Sequence, residues 1–148
     1  MGKFFSIKEL TKTNTNLPNK PDSTITKNLN ELIELLDDIR EKWTLFSLEN
    51  RWWSPCIIVN SGYRSEEVNK AVGGSSTSAH LLGYAADIIP DNGKNLEFFN
   101  FVKDYLLSNN IAFDQLINEK PINGIPSWIH IGIKNNKGEQ RKQIFTIK

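Results

Sequence analysis

Between residues 28 and 46 the apolar side chains Leu29, Leu32, Ile33, Leu36, Ile39 and Trp43 recur at helical spacing, with Glu31, Glu34, Asp38 and Glu41 on the other side. That period predicts an amphipathic helix with one face on a core. A second run of the same kind predicts a helix over 96–108. The unbroken apolar run around Cys56-Ile57-Ile58-Val59 predicts a buried strand over 56–60, ended by Ser61-Gly62. Further strands are predicted over 84–89, stopped by Pro90, and over 111–119, 128–133 and 143–147. The last two are expected to form a hairpin through Asn135-Asn136-Lys137-Gly138, its exposed edge protected by lysines. Ser6-Ile7-Lys8-Glu9 has the form of a capping box, and Ser65 can cap a short helix through Ala71 that Gly73-Gly74 stops. The Asn-, Thr- and Pro-rich stretch 11–24 and the polar stretch 75–78 read as loops. Helices and strands mix without a regular alternation, so the expected class is α+β, a small, mostly antiparallel sheet with flanking helices in a single domain over 1–148.

Composition changes this picture little. A chain of 148 residues, 39% of them hydrophobic, buries roughly 70% of its unfolded surface. It needs no metal or disulfide merely to fold, so a metal site here would be functional rather than structural. The net charge of +1 carries no general footprint for nucleic acid. No apolar run approaches the roughly 20 residues that span a bilayer, so membrane insertion is not expected. The first ten residues lack a secretory pattern, and synthesis in the cytoplasm is the expectation. The single cysteine, Cys56, precludes an intramolecular disulfide and is expected as an inert core residue.

Candidate chemistry is sparse. The chain has two histidines, His80 at the end of the Ser/Thr loop and His130 in Trp128-Ile129-His130-Ile131. Strand alternation puts Trp128 and His130 on one face, Ile129 and Ile131 on the other. Asp87 follows His80 by seven residues, behind the small pair Ala85-Ala86. Two imidazoles and a carboxylate suit a catalytic zinc, which keeps a fourth position for water. Spacing alone leaves ordinary core-edge histidines as the competing reading.

The ordered blocks Ser61-Gly62-Tyr63-Arg64-Ser65, Val68-Asn69-Lys70-Ala71-Val72-Gly73-Gly74, Ser78-Ala79-His80, Gly83-Tyr84-Ala85-Ala86-Asp87-Ile88 and Trp128-Ile129-His130 narrow the choice. Together they resemble the zinc D-alanyl-D-alanine carboxypeptidase family, which includes phage L-alanyl-D-glutamate endolysins and vancomycin-resistance dipeptidases. The likeness is to its small phage and bacterial members and runs from Phe4 to His130. It implies a hedgehog/D-Ala-D-Ala-peptidase-like fold and Zn2+ held by His80, Asp87 and His130. It further implies Arg64 on a substrate carbonyl or carboxylate, and Ser78 as a contact of His80 or of the substrate.

The base that activates water stands, in some branches, three residues before the last histidine, where this chain has Ser127. Small members carry it on the preceding strand, in a segment like Phe113-Asp114-Gln115-Leu116-Ile117-Asn118-Glu119. Alternation places Gln115, Ile117 and Glu119 on one face. This favours Glu119 over Asp114 as the base, with Gln115 toward the substrate. The chain departs from the family pattern at Ala79, Tyr84 and Gly132-Ile133. The expected partner is a peptidoglycan stem peptide or a D-Ala-D-Ala terminus, met by a monomer released to the wall by a phage lysis system. The alternative is a non-catalytic, zinc-containing wall-binding or phage structural module.

Overall fold

The computed structural model describes residues 2–148 and has the expected α+β architecture. A short helix α1 (Ile7–Leu10) is capped by Ser6, whose hydroxyl accepts from the Glu9 N–H. The long helix α2 (Ser23–Glu49) starts five residues earlier than the hydrophobic period suggested. Its cap is Asp22, which accepts from the Ile25 N–H at 2.8 Å, so a cap rather than an apolar position sets the start. After β1 (Ile57–Ser61) come α3 (Glu66–Ala71), capped by Ser65 as expected, and a 3₁₀ helix (Ala79–Leu82). β2 (Ala85–Pro90), α4 (Asn95–Ser108), β3 (Gln115–Glu119), β4 (Trp128–Gly132) and β5 (Gln143–Ile147) complete the chain.

The five strands are ordered β1-β2-β4-β3-β5, all neighbours antiparallel except β3 and β5. Strand alternation divides the sheet into two faces. One presents Ala86, Ile88, Leu116, Ile129 and Ile131 to a core shared with Leu29, Leu32, Leu36, Ile39 and Trp43 of α2 and Phe98, Val102 and Leu106 of α4. Trp43 is the aromatic centre of that core, with Phe98 packed edge-on at 4.9 Å and Phe101 at 5.3 Å. The other face presents Asp87, His130, Ile117 and Glu119 to a cleft.

Three expectations are corrected. The final two strands do not form a hairpin: β5 lies parallel to β3, with Gln143 opposite Gln115 and Ile147 opposite Glu119. The segment expected to turn the hairpin closes on itself instead. The Asn135 side chain accepts from the N–H groups of Lys137 and Glu139, and Gly138 takes φ +76°. The chain then passes β3 and adds to its free edge. Cys56, secondly, is exposed: it immediately precedes β1, which packs on the core through one face only, so that successive residues alternate between core and solvent. Ile57 is buried while Ile58 is turned out, so the apolar run was not a fully buried strand. Lastly, β3 begins only at Gln115; residues 111–114 lead into it without a ladder, Phe113 filling the core.

The crossing to β5 is pinned by Asp114, whose side chain is 2% exposed. Arg141 donates to it from Nε at 2.8 Å, from Nη2 at 2.9 Å and from its backbone N–H at 3.1 Å. Burial pushes the Asp114 carboxyl up, the Arg141 side-chain and backbone hydrogen bonds pull it down further, and the net pKa lies below the ordinary value. A depressed carboxylate contributes stability above its unfolded pKa of about 3.9 and loses it as pH falls through the folded value. Asp114→Asn is therefore expected to cost about 1–2 kcal/mol at pH 7, a figure kept low because Arg141 is well exposed. Urea unfolding at stepped pH should show the gap between wild type and variant closing below about pH 4. A gap constant down to pH 2.5 would remove this ion pair from the account.

Candidate metal and catalytic centre

The sheet register brings the key side chains together. Asp87 of β2 lies opposite His130 of β4, and His130 lies opposite Ile117 of β3. Two residues along, Glu119 lies opposite Trp128. His80 arrives from outside the sheet on the 3₁₀ helix, not at a loop end as expected. The Ser78 hydroxyl caps that helix by accepting from the His80 N–H at 3.2 Å. Gly83, in the left-handed region at φ +75°, ends it and turns the chain into β2.

His80 is 2% exposed, and its Nδ1 lies 2.7 Å from the Gly62 carbonyl oxygen. A carbonyl only accepts, so Nδ1 carries the proton, and Nε2 of the neutral ring presents a lone pair. That Nε2 faces Asp87 Oδ1 at 3.4 Å, and His130 Nδ1 faces the same oxygen at 3.2 Å. Burial, the largest influence on His80, pushes its pKa down and favours the neutral ring. A lone pair held against a carboxylate oxygen is unfavourable unless a cation stands between them.

The distances suit such a cation. Zinc with bonds of about 2.0–2.2 Å in a tetrahedron separates its donors by roughly 3.3 Å. The three donor atoms lie within 4.8 Å of one another, two of the separations being those just given. Burial raises the Asp87 carboxyl, but the two histidines lower it more, leaving it far below the usual carboxylate range and anionic at neutral pH. Two imidazoles and an anionic carboxylate are a fitting donor set for zinc.

The cleft around this trio has a volume of about 850 Å³, bounded on one side by the 72–79 segment and on the other by the loop before β5. Arg64, Ser78, Gln115 and Glu119 all line it, as do Ile117 and Trp128. Glu119 is half-buried. Burial, then the Asp87 charge, raises its pKa above the ordinary value, toward the range useful to a general base. Asp114, the competing candidate, is consumed by Arg141 and does not offer a free carboxylate. Gln115 donates to Gln143 at 3.0 Å, tying β3 to β5 at the cleft edge. The Arg64 guanidinium is partly buried without an ion-pair partner among the described residues, and its Nε has no hydrogen-bond partner there either. Burial lowers its pKa, and the charges of Asp87 and Glu119 oppose that shift.

Two features escaped the sequence. Arg141 as the lock on Asp114 lies 27 residues away with no local pattern to announce it. Gly132 borders His130: an added Cβ would stand 3.5 Å from its Nε2, a buried nitrogen without a hydrogen-bond partner among the described residues. No helix of the described residues is long and apolar enough to cross a membrane.

Donor set and cleft together suit a metal ion held beside a substrate site. The sequence matches the family model described as Peptidase M15 over residues 3–131, and the chain belongs to that family. It is also similar to the zinc D-Ala-D-Ala carboxypeptidase of Streptomyces albus G, with 32% identity over 84 residues. That stretch is 57% of this chain and only 30% of the Streptomyces protein.

Proposed function

We propose that the chain is a zinc-dependent metallopeptidase that hydrolyses peptidoglycan peptides, either at a D-Ala-D-Ala terminus or within the stem as an L-Ala-D-Glu endopeptidase. The carrying observation is that two imidazole nitrogens converge on one carboxylate oxygen in the cleft that Glu119 and Arg64 also line. Family membership and the likeness to a D-Ala-D-Ala carboxypeptidase support the substrate class.

In this reading His80, Asp87 and His130 hold the metal. Bound zinc supplies a Lewis acid that brings the pKa of water down to about 7 and polarises a carbonyl. Glu119 takes the proton from the attacking water and returns it to the leaving amine nitrogen. Arg64 holds the developing oxyanion or the substrate's terminal carboxylate with planar, paired donors. Ser78 acts through the helix cap that presents His80, and Trp128 and Ile117 give the cleft floor an apolar surface for the peptide.

The test is incubation with purified peptidoglycan, with and without chelator, followed by mass spectrometry of the new termini. Release of free D-alanine identifies the carboxypeptidase, and a new D-glutamate amino terminus the endopeptidase. Either product should vanish with chelator and return on adding zinc. Binding of the wall without any product would leave a zinc-containing binding module in place of the enzyme.

A further inference from the structure

We infer that Asn19 is a positioning residue for Arg64, an inference that rests on the reading of Arg64 as a substrate contact. Asn19 belongs to the stretch between α1 and α2, which carries no regular structure and looks in sequence like a plain connector. Its carboxamide nevertheless spans the segment that carries the arginine. Nδ2 donates to the Tyr63 carbonyl at 2.9 Å and to the Thr11 carbonyl at 2.8 Å. Oδ1 accepts from the Ser65 N–H at 2.7 Å. One side chain thus holds the peptide groups on both sides of Arg64, using the two N–H donors and the carbonyl acceptor that a side-chain amide carries.

This matters because the sheet no longer holds the chain there. β1 ends at Ser61, where its pairing with β2 is already irregular. Beyond that point Tyr63 donates its N–H to the Leu10 carbonyl, and Arg64 donates its own to the His80 carbonyl. The Ser65 hydroxyl donates to the Pro18 carbonyl at 2.7 Å, a second tie to the same connector. The guanidinium itself has no ion-pair partner among the described residues, so its aim is set from its backbone. Asn19 replaces a missing strand neighbour and directs that aim into the cleft.

The experiment is a double-mutant cycle with Asn19→Ala and Arg64→Ala, assayed on soluble muropeptides, with zinc content and thermal unfolding recorded for each variant. Asn19→Ala is expected to lower kcat/KM by about 10- to 100-fold, the scale of a misplaced catalytic contact. The loss should fall on whichever of kcat and KM the Arg64→Ala variant changes, and zinc content should stay at the wild-type level. In the Arg64→Ala background the same substitution should cost nothing more. Independent losses in the double variant, or zinc lost from Asn19→Ala alone, would overturn the inference, the latter by showing that the connector serves His80. Should Asn19→Ala be unfolded at assay temperature, Asn19→Ser and the same cycle decide the matter. Amide hydrogen exchange reads the clamp without turnover: the Ser65 N–H should exchange at least tenfold faster in Asn19→Ala. If the wild type cleaves no muropeptide, the proposed function fails while this exchange still tests the clamp, and unchanged Ser65 exchange sinks it.

Discussion

Replacing His80 or Asp87 with alanine is expected to reduce bound zinc from near-stoichiometric to background and to abolish peptide cleavage. Each substitution removes one of three converging donors, and the remaining pair cannot close a tetrahedral site around a water position. The two variants should differ in stability. His80→Ala also strips the Gly62 carbonyl of its 2.7 Å donor in a buried setting, which costs about 1–3 kcal/mol. Asp87→Ala keeps that bond and instead removes the carboxylate that both imidazoles face. Metal analysis after dialysis, alongside muropeptide cleavage, reads both effects. Wild-type activity in a verified metal-free sample would refute the metal assignment as a whole.

Glu119→Gln separates chemistry from metal binding. The amide keeps the size and hydrogen-bonding reach of the side chain but cannot take a proton at neutral pH. A positioned general base contributes about 10²–10⁴ in rate, so kcat should fall by that factor with zinc content unchanged. The raised pKa of Glu119 gives the sign of the pH profile. The active form is the carboxylate, so wild-type activity should drop as pH falls through the folded pKa, which lies above the usual glutamate value. The acidic limb should vanish from the residual activity of Glu119→Gln. Retention of more than a tenth of wild-type kcat would pass the role of base to another group.

How much of this was legible depended on the range of the interaction concerned. The α2 core face follows from local periodicity, and all six apolar positions named from sequence are buried. Strand parity sufficed to put Gln115, Ile117 and Glu119 on one face, because alternation is a property of the strand itself; the pairing of β3 with β4 is what brings that face beside His130. Which strand lies beside which is a different matter. The run 143–147 has the pattern of a strand whether it pairs with β4 or β3, and the choice is made by an Asn135-closed loop and the Asp114–Arg141 bond. Cys56 was misplaced for a related reason: an apolar run does not announce that only one face of its strand is covered. The metal trio was only plausible from spacing, and the ordered motif blocks carried the expectation; that Asp87 lies opposite His130 is a matter of register and was not legible.

The two-faced sheet has a consequence for how such a protein can diverge. Along β2, β3 and β4 neighbouring residues answer to different demands: Ala86, Ile88, Leu116, Ile129 and Ile131 to cohesion, Asp87, Ile117, Glu119 and His130 to the cleft. Changes at positions that share no partner combine nearly additively. Selection can therefore explore new specificities on one side of each strand while the other side preserves foldability, and the pleat of the backbone keeps the two searches apart.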